Sequence, residues 1–290
     1  MPDTLLCPAA LSLALACALG TRPRIWLWLN GLGALAGLGA AAAVLGGRQA
    51  WVWRSALRLG GENISLGLDS VSALFLLPVC LVGGLGAIYA SEYWPDDHYP
   101  RSASRGRAWW SALALSMGLV LTSANGLHFL FAWEAFALCA YFLITLDRDR
   151  TEVRRAGWLY LAASHTGTMA LFAFFSALAA GTGSWELGPL PGRPELAPLF
   201  WLALLGFGVK AGMFPLHIWL PSAHANAPSH VSAIMSGVAI KMGVYGIVRF
   251  AGWLPLPAGA GWTVLGIGCL SALMGIVFAM AQNDIKRLLA

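Results

Sequence analysis

Residues 209–250 read VKAGMFPLHIWLPSAHANAPSHVSAIMSGVAIKMGVYGIVRF, an apolar stretch of membrane type that nevertheless holds two lysines, Lys210 and Lys241. A lysine near the middle of a bilayer costs about 2.5–3.5 kcal/mol on insertion scales, so it requires a partner, water or a task. Between the lysines stand Pro215, Pro221 and Pro228, with His217, His224 and His230 interspersed. A proline inside a helix removes a backbone bond and clashes with the preceding turn, so no single straight helix runs through this stretch. In lipid, freed backbone is tolerated only where protein or a water-filled cavity satisfies it. The stretch therefore predicts a broken helix beside a buried, hydrated ion path.

The rest of the chain has the same character. Of its 290 residues 58% are apolar and only 11% charged, against about 25% charged in a soluble domain. The expected class is an all-α polytopic membrane protein in contact with the lipid bilayer. Apolar runs long enough to cross a bilayer predict about nine transmembrane helices, near 4–20, 25–47, 67–91, 108–124, 126–146, 156–180, 198–220, 230–251 and 262–282. The first has no basic residue before its apolar core, which speaks against a cleaved leader. Several tryptophans, including Trp26, Trp51, Trp94, Trp109, Trp253 and Trp262, flank apolar runs, where interfacial aromatic belts sit.

The net charge of +5 is carried in short loops, not on the continuous basic face that nucleic-acid binding needs. Eleven basic residues fall on the side of the first loop: Arg22, Arg24, Arg101, Arg105, Arg107, Arg148, Arg150, Arg154, Arg155, Lys286 and Arg287. Five fall on the other: Arg48, Arg54, Arg58, Arg193 and Arg249. The richer side is expected to be cytoplasmic, with the N-terminus outside, the C-terminus inside and the chain in the cell's inner (plasma) membrane. Cys7, Cys17, Cys80, Cys139 and Cys269 each stand alone in apolar runs. No spacing suggests a metal, a cluster or a disulfide frame, and they read as small buried hydrophobes. No loop is long enough for a soluble domain; the 181–197 loop, with Trp185 and Pro189–Pro194, reads as a surface connector. The terminal NDIKRLLA looks like the start of a further segment, as in a fragment of a longer chain.

Three charges fall deep inside predicted spans. At 1.5 Å per residue, Glu134 lies about 12 Å from one end of its segment, Lys210 about 18 Å and Lys241 about 17 Å into theirs. All three are expected in one slab near the midplane. Low dielectric penalises each charged form, so each keeps its charge only beside the other. A Glu/Lys/Lys row in a hydrated channel is then a proton relay that electrostatics can switch. The competing reading is a static buried salt bridge, which leaves the second lysine unexplained.

Histidines extend this row. His230 and Lys241, 11 residues apart, are expected on one helix face, and His217, 7 residues from Lys210, roughly aligns with it. Imidazoles titrate in the range needed to pass protons, and His217, His224 and His230 lie toward the cytoplasmic end. His224 also reads as a cap on a broken helix end. His165, in LAASHTGTMA, reads as an interhelical hydrogen-bond partner, with a lining role as the second reading. His128 is expected at the outer interface, Asp69 as a helix N-cap there, and DRDRTEVRR as a solvated loop. Gly206, Gly208 and Gly212 permit close approach and bending. They form no dinucleotide site, because no strand precedes them.

The blocks FAWEAFALCAYFLI, GFGVKAGMFPLHIWLPSAHANAPSHVSA, MSGVAIKMGVYGIVRF and NDIKRLLA resemble the antiporter-like proton-channel subunits of respiratory NADH:quinone oxidoreductase, multisubunit Na+/H+ antiporters and membrane-bound hydrogenases. The likeness covers roughly residues 67–290 and is strongest to the antiporter-like membrane subunits of the hydrogenase 4 and formate hydrogenlyase group. It implies a fold of two inverted five-helix repeats and a central axis of Glu134, Lys210 and Lys241. By that likeness residues 1–107 hold three N-terminal helices, 108–251 the first repeat with its broken seventh helix, and 252–290 one helix of the second. It also implies no redox cofactor in this chain, other membrane subunits as partners, soluble redox subunits on the cytoplasmic side, and protons (or Na+) as the ions moved. Two functions follow: a proton-translocating subunit coupled to electron transfer in its partners, or a subunit of a Na+/H+ antiporter with no redox partner.

Overall fold

Apolar runs become helices here because lipid offers no partner to a backbone N–H, and a helix satisfies each one internally. The computed structural model describes residues 3–47 and 50–289; Arg48 and Ala290 lie outside them. In chain order come α1 (Asp3–Ala18), α2 (Pro23–Leu45), a hairpin of β1 (Trp51–Leu59) and β2 (Glu62–Leu68), α3 (Ser70–Tyr93), α4 (Ala103–Thr122), α5 (Gly126–Ile144) and α6 (Thr151–Thr182). They are followed by α7 (Leu199–Ala211), α8 (Leu220–Asn226), α9 (Ser229–Ile234), α10 (Ile240–Trp253), α11 (Ala260–Met280) and α12 (Ile285–Leu289). Every predicted span overlaps a helix. Six of the described helical stretches are long and apolar enough to cross a membrane: α2, α3, α5, α6, the composite Ser229–Trp253, and α11. The chain is a polytopic all-α membrane protein with one departure, the hairpin.

That hairpin has a local cause. Leu59 pairs with Glu62 across Gly60 and Gly61, whose φ values of 64° and 88° are those of a two-residue turn with both central residues left-handed. The hairpin then seeds a small sheet at one end of the bundle. Ala124 N donates to Ser65 O (3.0 Å), Leu187 N to Ala124 O (2.9 Å) and Gly126 N to Trp185 O (2.8 Å). Arg54 meets Glu186 at 2.9 Å across it. The 181–197 connector is thus a strand-like partner of this cap. His128, in the first turn of α5 at this end, is buried under the hairpin, its Nε2 3.1 Å from Leu59 O.

The opposite end is tied just as firmly. Arg107, 6% exposed, donates to Gly20 O (2.6 Å) and to both oxygens of Asp96 (2.7 and 2.9 Å). Trp26 donates to Arg107 O and Ser111 Oγ, each at 2.8 Å. Lys286 Nζ reaches Ala227 O at 3.1 Å. Loops 94–102 and 227–228 and the 284–287 turn therefore share one end, as the alternating loop count requires.

The core between the ends is aromatic. Phe129 and Trp133 of α5, Phe174 and Phe175 of α6, Phe207 of α7 and Phe250 of α10 pack mostly edge to face. Such pairs are worth about 0.5–1.5 kcal/mol beyond their burial. Of the cysteines only Cys139 is buried, while Cys7 and Cys269 are exposed. The reading of all five as buried fails because α1 and α11 present faces that the described residues leave uncovered.

Two helices touch backbone to backbone at Gly243. A Cβ added there would stand 2.5 Å from Phe207 O of α7, and a backbone atom cannot swing aside as a side chain can. Gly243→Ala should therefore destabilise the chain by about 1–3 kcal/mol, read as a lowered thermal unfolding midpoint in detergent. An unchanged midpoint would show that α7 and α10 are not in this contact.

Candidate ion-path site

The site is built where α7 stops. Gly212 takes the left-handed conformation (φ 69°) that ends the helix, and its N–H turns back to Val209 O (3.2 Å). Phe214–Pro215 is cis, and regular helix resumes only at Leu220. The predicted break is present, one turn earlier than the proline alone requires. Its backbone groups find protein partners: Trp219 Nε1 donates to Val209 O (2.9 Å), Met213 N to Gly208 O (3.1 Å) and Phe214 N to Ser271 Oγ of α11 (3.0 Å).

Lys210 occupies the last turn of α7, where the helix dipole favours a cation. It is 3% exposed. Its Nζ donates to Tyr160 Oη of α6 at 2.7 Å and lies 3.9 Å from the centre of the Phe136 ring of α5. Desolvated cation–π contacts of this kind are worth about 2 kcal/mol. Close approach of α6 and α7 makes this possible: a Cβ at Gly167 would meet Gly206 O at 3.0 Å. Glu134 Oε2 lies 3.2 Å from His165 Nδ1, the interhelical contact expected of His165. Its other oxygen, Oε1, is buried without a hydrogen-bond partner. Among the described residues no hydrogen bond or ion pair joins Glu134 to Lys210; each holds its own partner.

Lys241 is placed differently. It follows a five-residue π-helical turn, Met235–Ala239, on the exposed side of α10, and its Nζ donates to Ser236 O in that wide turn. Turns of this type collect at functional sites. The extra residue rotates the helix by about 100°, so exposed Lys241 and buried His230 do not share a face as their spacing suggests. His217 and Lys210 likewise fail to align, because α7 ends between them.

The three histidines of the break each have a ring nitrogen sealed from solvent without a partner: His217 Nδ1, His224 Nε2 and His230 Nδ1. His230 is enclosed by Tyr93, Trp94 and Trp110. His224, in the last turn of α8, bridges the Pro228 break through Ser232 Oγ (3.2 Å). His217 stacks on Phe214 and Phe278 beside a cavity of about 530 Å³ that Ser271, Gln282 and Arg287 also line.

Sequence reasoning missed Tyr160 and the far end of α10. The signal for Tyr160 was a tyrosine one turn before Ser164 on a small-residue helix face. At the hairpin end, Asp69 caps α3 by accepting from Ser72 N (2.9 Å), as expected, and also binds Arg249 of α10, which donates to Asp69 Oδ1 (2.6 Å), Asp69 Oδ2 and Ser72 Oγ (2.6 Å). Burial alone would raise the Asp69 carboxyl, but the bonds from Arg249 and Ser72 outweigh it and hold it below the ordinary carboxylate range.

Residues 123–290, more than half of the chain, match the family of NADH:quinone oxidoreductase/Mrp antiporter transmembrane proteins, and the chain belongs to that family. It is 37% identical over 236 residues to hydrogenase-4 component B of Escherichia coli K12, covering 79% of this chain and 35% of that protein. Its fold matches a chain of the membrane-bound sulfane sulfur reductase, an archaeal respiratory membrane complex, with a TM-score of 0.84 and 23% identity over 98% of this chain and 48% of that one. It also matches a chain of the Mrp complex from Dietzia sp. DQ12-45-1b, with a TM-score of 0.79 and 24% identity over 97% of this chain and 32% of that one. The chain thus spans a third to a half of the length of these relatives. They are named as components of multisubunit membrane assemblies.

The Asp69–Arg249 pair has a pH signature. A depressed folded-state carboxyl contributes stability above its unfolded value and loses it as pH falls through the folded one. Asp69→Asn removes charged partners from a buried guanidinium and should cost about 1.5–3 kcal/mol at pH 7. The gap to wild type should narrow below about pH 4. Thermal melts at both pH values check this; a gap that widens in acid contradicts it.

Proposed function

We propose that this chain is a proton-translocating subunit of a redox-driven membrane complex of the respiratory or hydrogenase type. Protons would move along Glu134, Lys210 and Lys241, with His217 and His230, and with His224 on the same inner side. The observation that carries the reading is Lys210: a 3% exposed amine at a helix break, held by one hydroxyl and one aromatic face. A buried ammonium without a carboxylate hydrogen-bonded to it is held less tightly than one in a closed ion pair, so a nearby charge can change its protonation. Glu134 supplies that charge. The ~530 Å³ cavity beside His217 is roomy and polar enough for ordered water, which would link the break to the solvent at the Arg287 end.

In this reading α4–α10 form the channel-bearing repeat. Electron transfer takes place in partner subunits on the cytoplasmic side, and the chain itself holds no redox centre. The membrane is the cell's inner membrane, with the N-terminus outside and the C-terminus inside, by the excess of arginine and lysine on one side. The likeness to an Mrp complex chain keeps one alternative open, cation/proton antiport without a redox partner. The same residues would serve it.

The test uses the intact complex in sealed vesicles. Lys210→Ala and Glu134→Gln should each lower the number of protons moved per electron below the wild-type ratio, while the complex still assembles. Lys210→Ala pumping at the wild-type ratio overturns the proposal. Proton uptake driven by a Na+ gradient with no electron donor would favour the antiporter.

A further inference from the structure

The first four helices enclose a cavity of their own, away from the one beside His217. It holds about 120 Å³, whereas native interiors leave few voids larger than a water molecule. Leu6 of α1, Gly33 of α2, Val79 and Gly83 of α3, and Ala114 and Gly118 of α4 line it. The space exists because these walls are small. A Cβ built at Gly118 would have nothing within 4 Å among the described residues, and one at Gly83 would meet only the Ala114 Cβ, at 3.8 Å. Along α4 the lining runs from Ala114 to Thr122, about 12 Å at 1.5 Å per residue. A space that long and that small is a slot for a chain, too narrow for a helix of about 10–12 Å diameter.

The slot is dry on chemical grounds. Its polar side chains already have partners outside it. Asn30 Nδ2 donates to Trp26 O (2.9 Å) and Ser111 Oγ (3.0 Å), and Asn30 Oδ1 accepts from Ser111 (3.2 Å). Thr122 Oγ1 donates to Gly118 O (2.9 Å). A buried water needs about two to four partners, and an apolar cavity of this size stays empty of water and accepts an apolar guest. Left empty, it forfeits the packing contacts of its whole lining.

Its mouth shows where the guest comes from. The lining residues Cys7 and Ala10 of α1 are exposed, and Leu119 of α4 is 37% exposed. The slot therefore opens between the N-terminal half of α1 and the C-terminal half of α4. The neighbouring α2 and α3 are long and apolar enough to cross a membrane, so the medium at the mouth is hydrocarbon. Trp51 and Leu66 of the hairpin and Thr122 mark one end of the lining, and buried Asn30 closes the other.

We propose that this slot binds one acyl chain of a bilayer phospholipid, which enters between α1 and α4 and keeps its headgroup at the hairpin end beside Trp51. The chain supplies α1 with the contacts to α3 and α4 that the glycine walls do not make. The interfacial tryptophan and the closed Asn30 end fix the direction of the lipid, because a headgroup has no polar partner left at Asn30.

The test uses the intact complex, delipidated in detergent and reconstituted into phosphatidylethanolamine/phosphatidylglycerol vesicles. These contain a phosphatidylethanolamine with a photoreactive diazirine in one acyl chain, and labelled positions are mapped by mass spectrometry. Wild type should carry label on Val79 and Ala114, which are buried and line the slot, as well as on exposed Leu11 and Leu35. Gly118→Leu fills the space around Gly118 and should lose the label at Val79 and Ala114 while keeping it at Leu11 and Leu35. Gly118→Ala adds a single methyl and should keep all four. Native gels check that each variant assembles. Label confined to the exposed positions in wild type overturns the proposal, as it would if a side chain of a neighbouring subunit filled the slot. Label at Ala114 that survives Gly118→Leu overturns it as well.

Discussion

An ammonium group in a membrane interior has to be solvated by the protein that carries it. That constraint on Lys210 organises the packing of α5, α6 and α7. Its amine needs a hydroxyl and an aromatic face, so Tyr160 and Phe136 converge on it from α6 and α5. For Tyr160 to reach, α6 and α7 must approach to backbone distance, which Gly167 and Gly206 permit. For the lysine to sit where a helix dipole favours it, α7 must end at once, which Gly212 achieves.

The break carries its own requirements. Every N–H and C=O freed near 212–219 needs a partner at a depth where water is scarce. Trp219, Ser271 and the turning backbone supply them. The break is therefore a built element, held by a buried indole on one side and by α11 on the other. The wide π turn before Lys241 follows the same logic: its Ser236 carbonyl takes the Lys241 amine. One helix break and one wide turn thus give the two lysines different surroundings. Lys210 is sealed and Lys241 exposed.

Much of this was legible in the residues. Prolines and lysines in one apolar run announced the break, and long apolar runs placed the spans. Asp69 before SVS announced a cap that the structure contains. The misses have physical causes. The hairpin was hidden because 51–68 is neither apolar enough for a span nor long enough to stand out, although Gly60-Gly61 between alternating residues was its signal. His128 then lay under an element that had not been foreseen. The His230–Lys241 alignment failed because a π turn leaves no mark in residue spacing, and the His217–Lys210 alignment failed because spacing has meaning only within an unbroken helix. Tyr160 was missed because charge alone was followed into the membrane, whereas a buried amine can be held by a hydroxyl.

The central claim is that Glu134 and Lys210 change partner or protonation while the complex turns over. Infrared difference spectroscopy of the intact complex, recorded as the redox centres of its partners are reduced, reads this directly. The account predicts a carboxyl band that changes on reduction in wild type, vanishes in Glu134→Gln and shifts in Lys210→Ala. A wild-type complex that pumps protons with no carboxyl change assignable to Glu134 would contradict it.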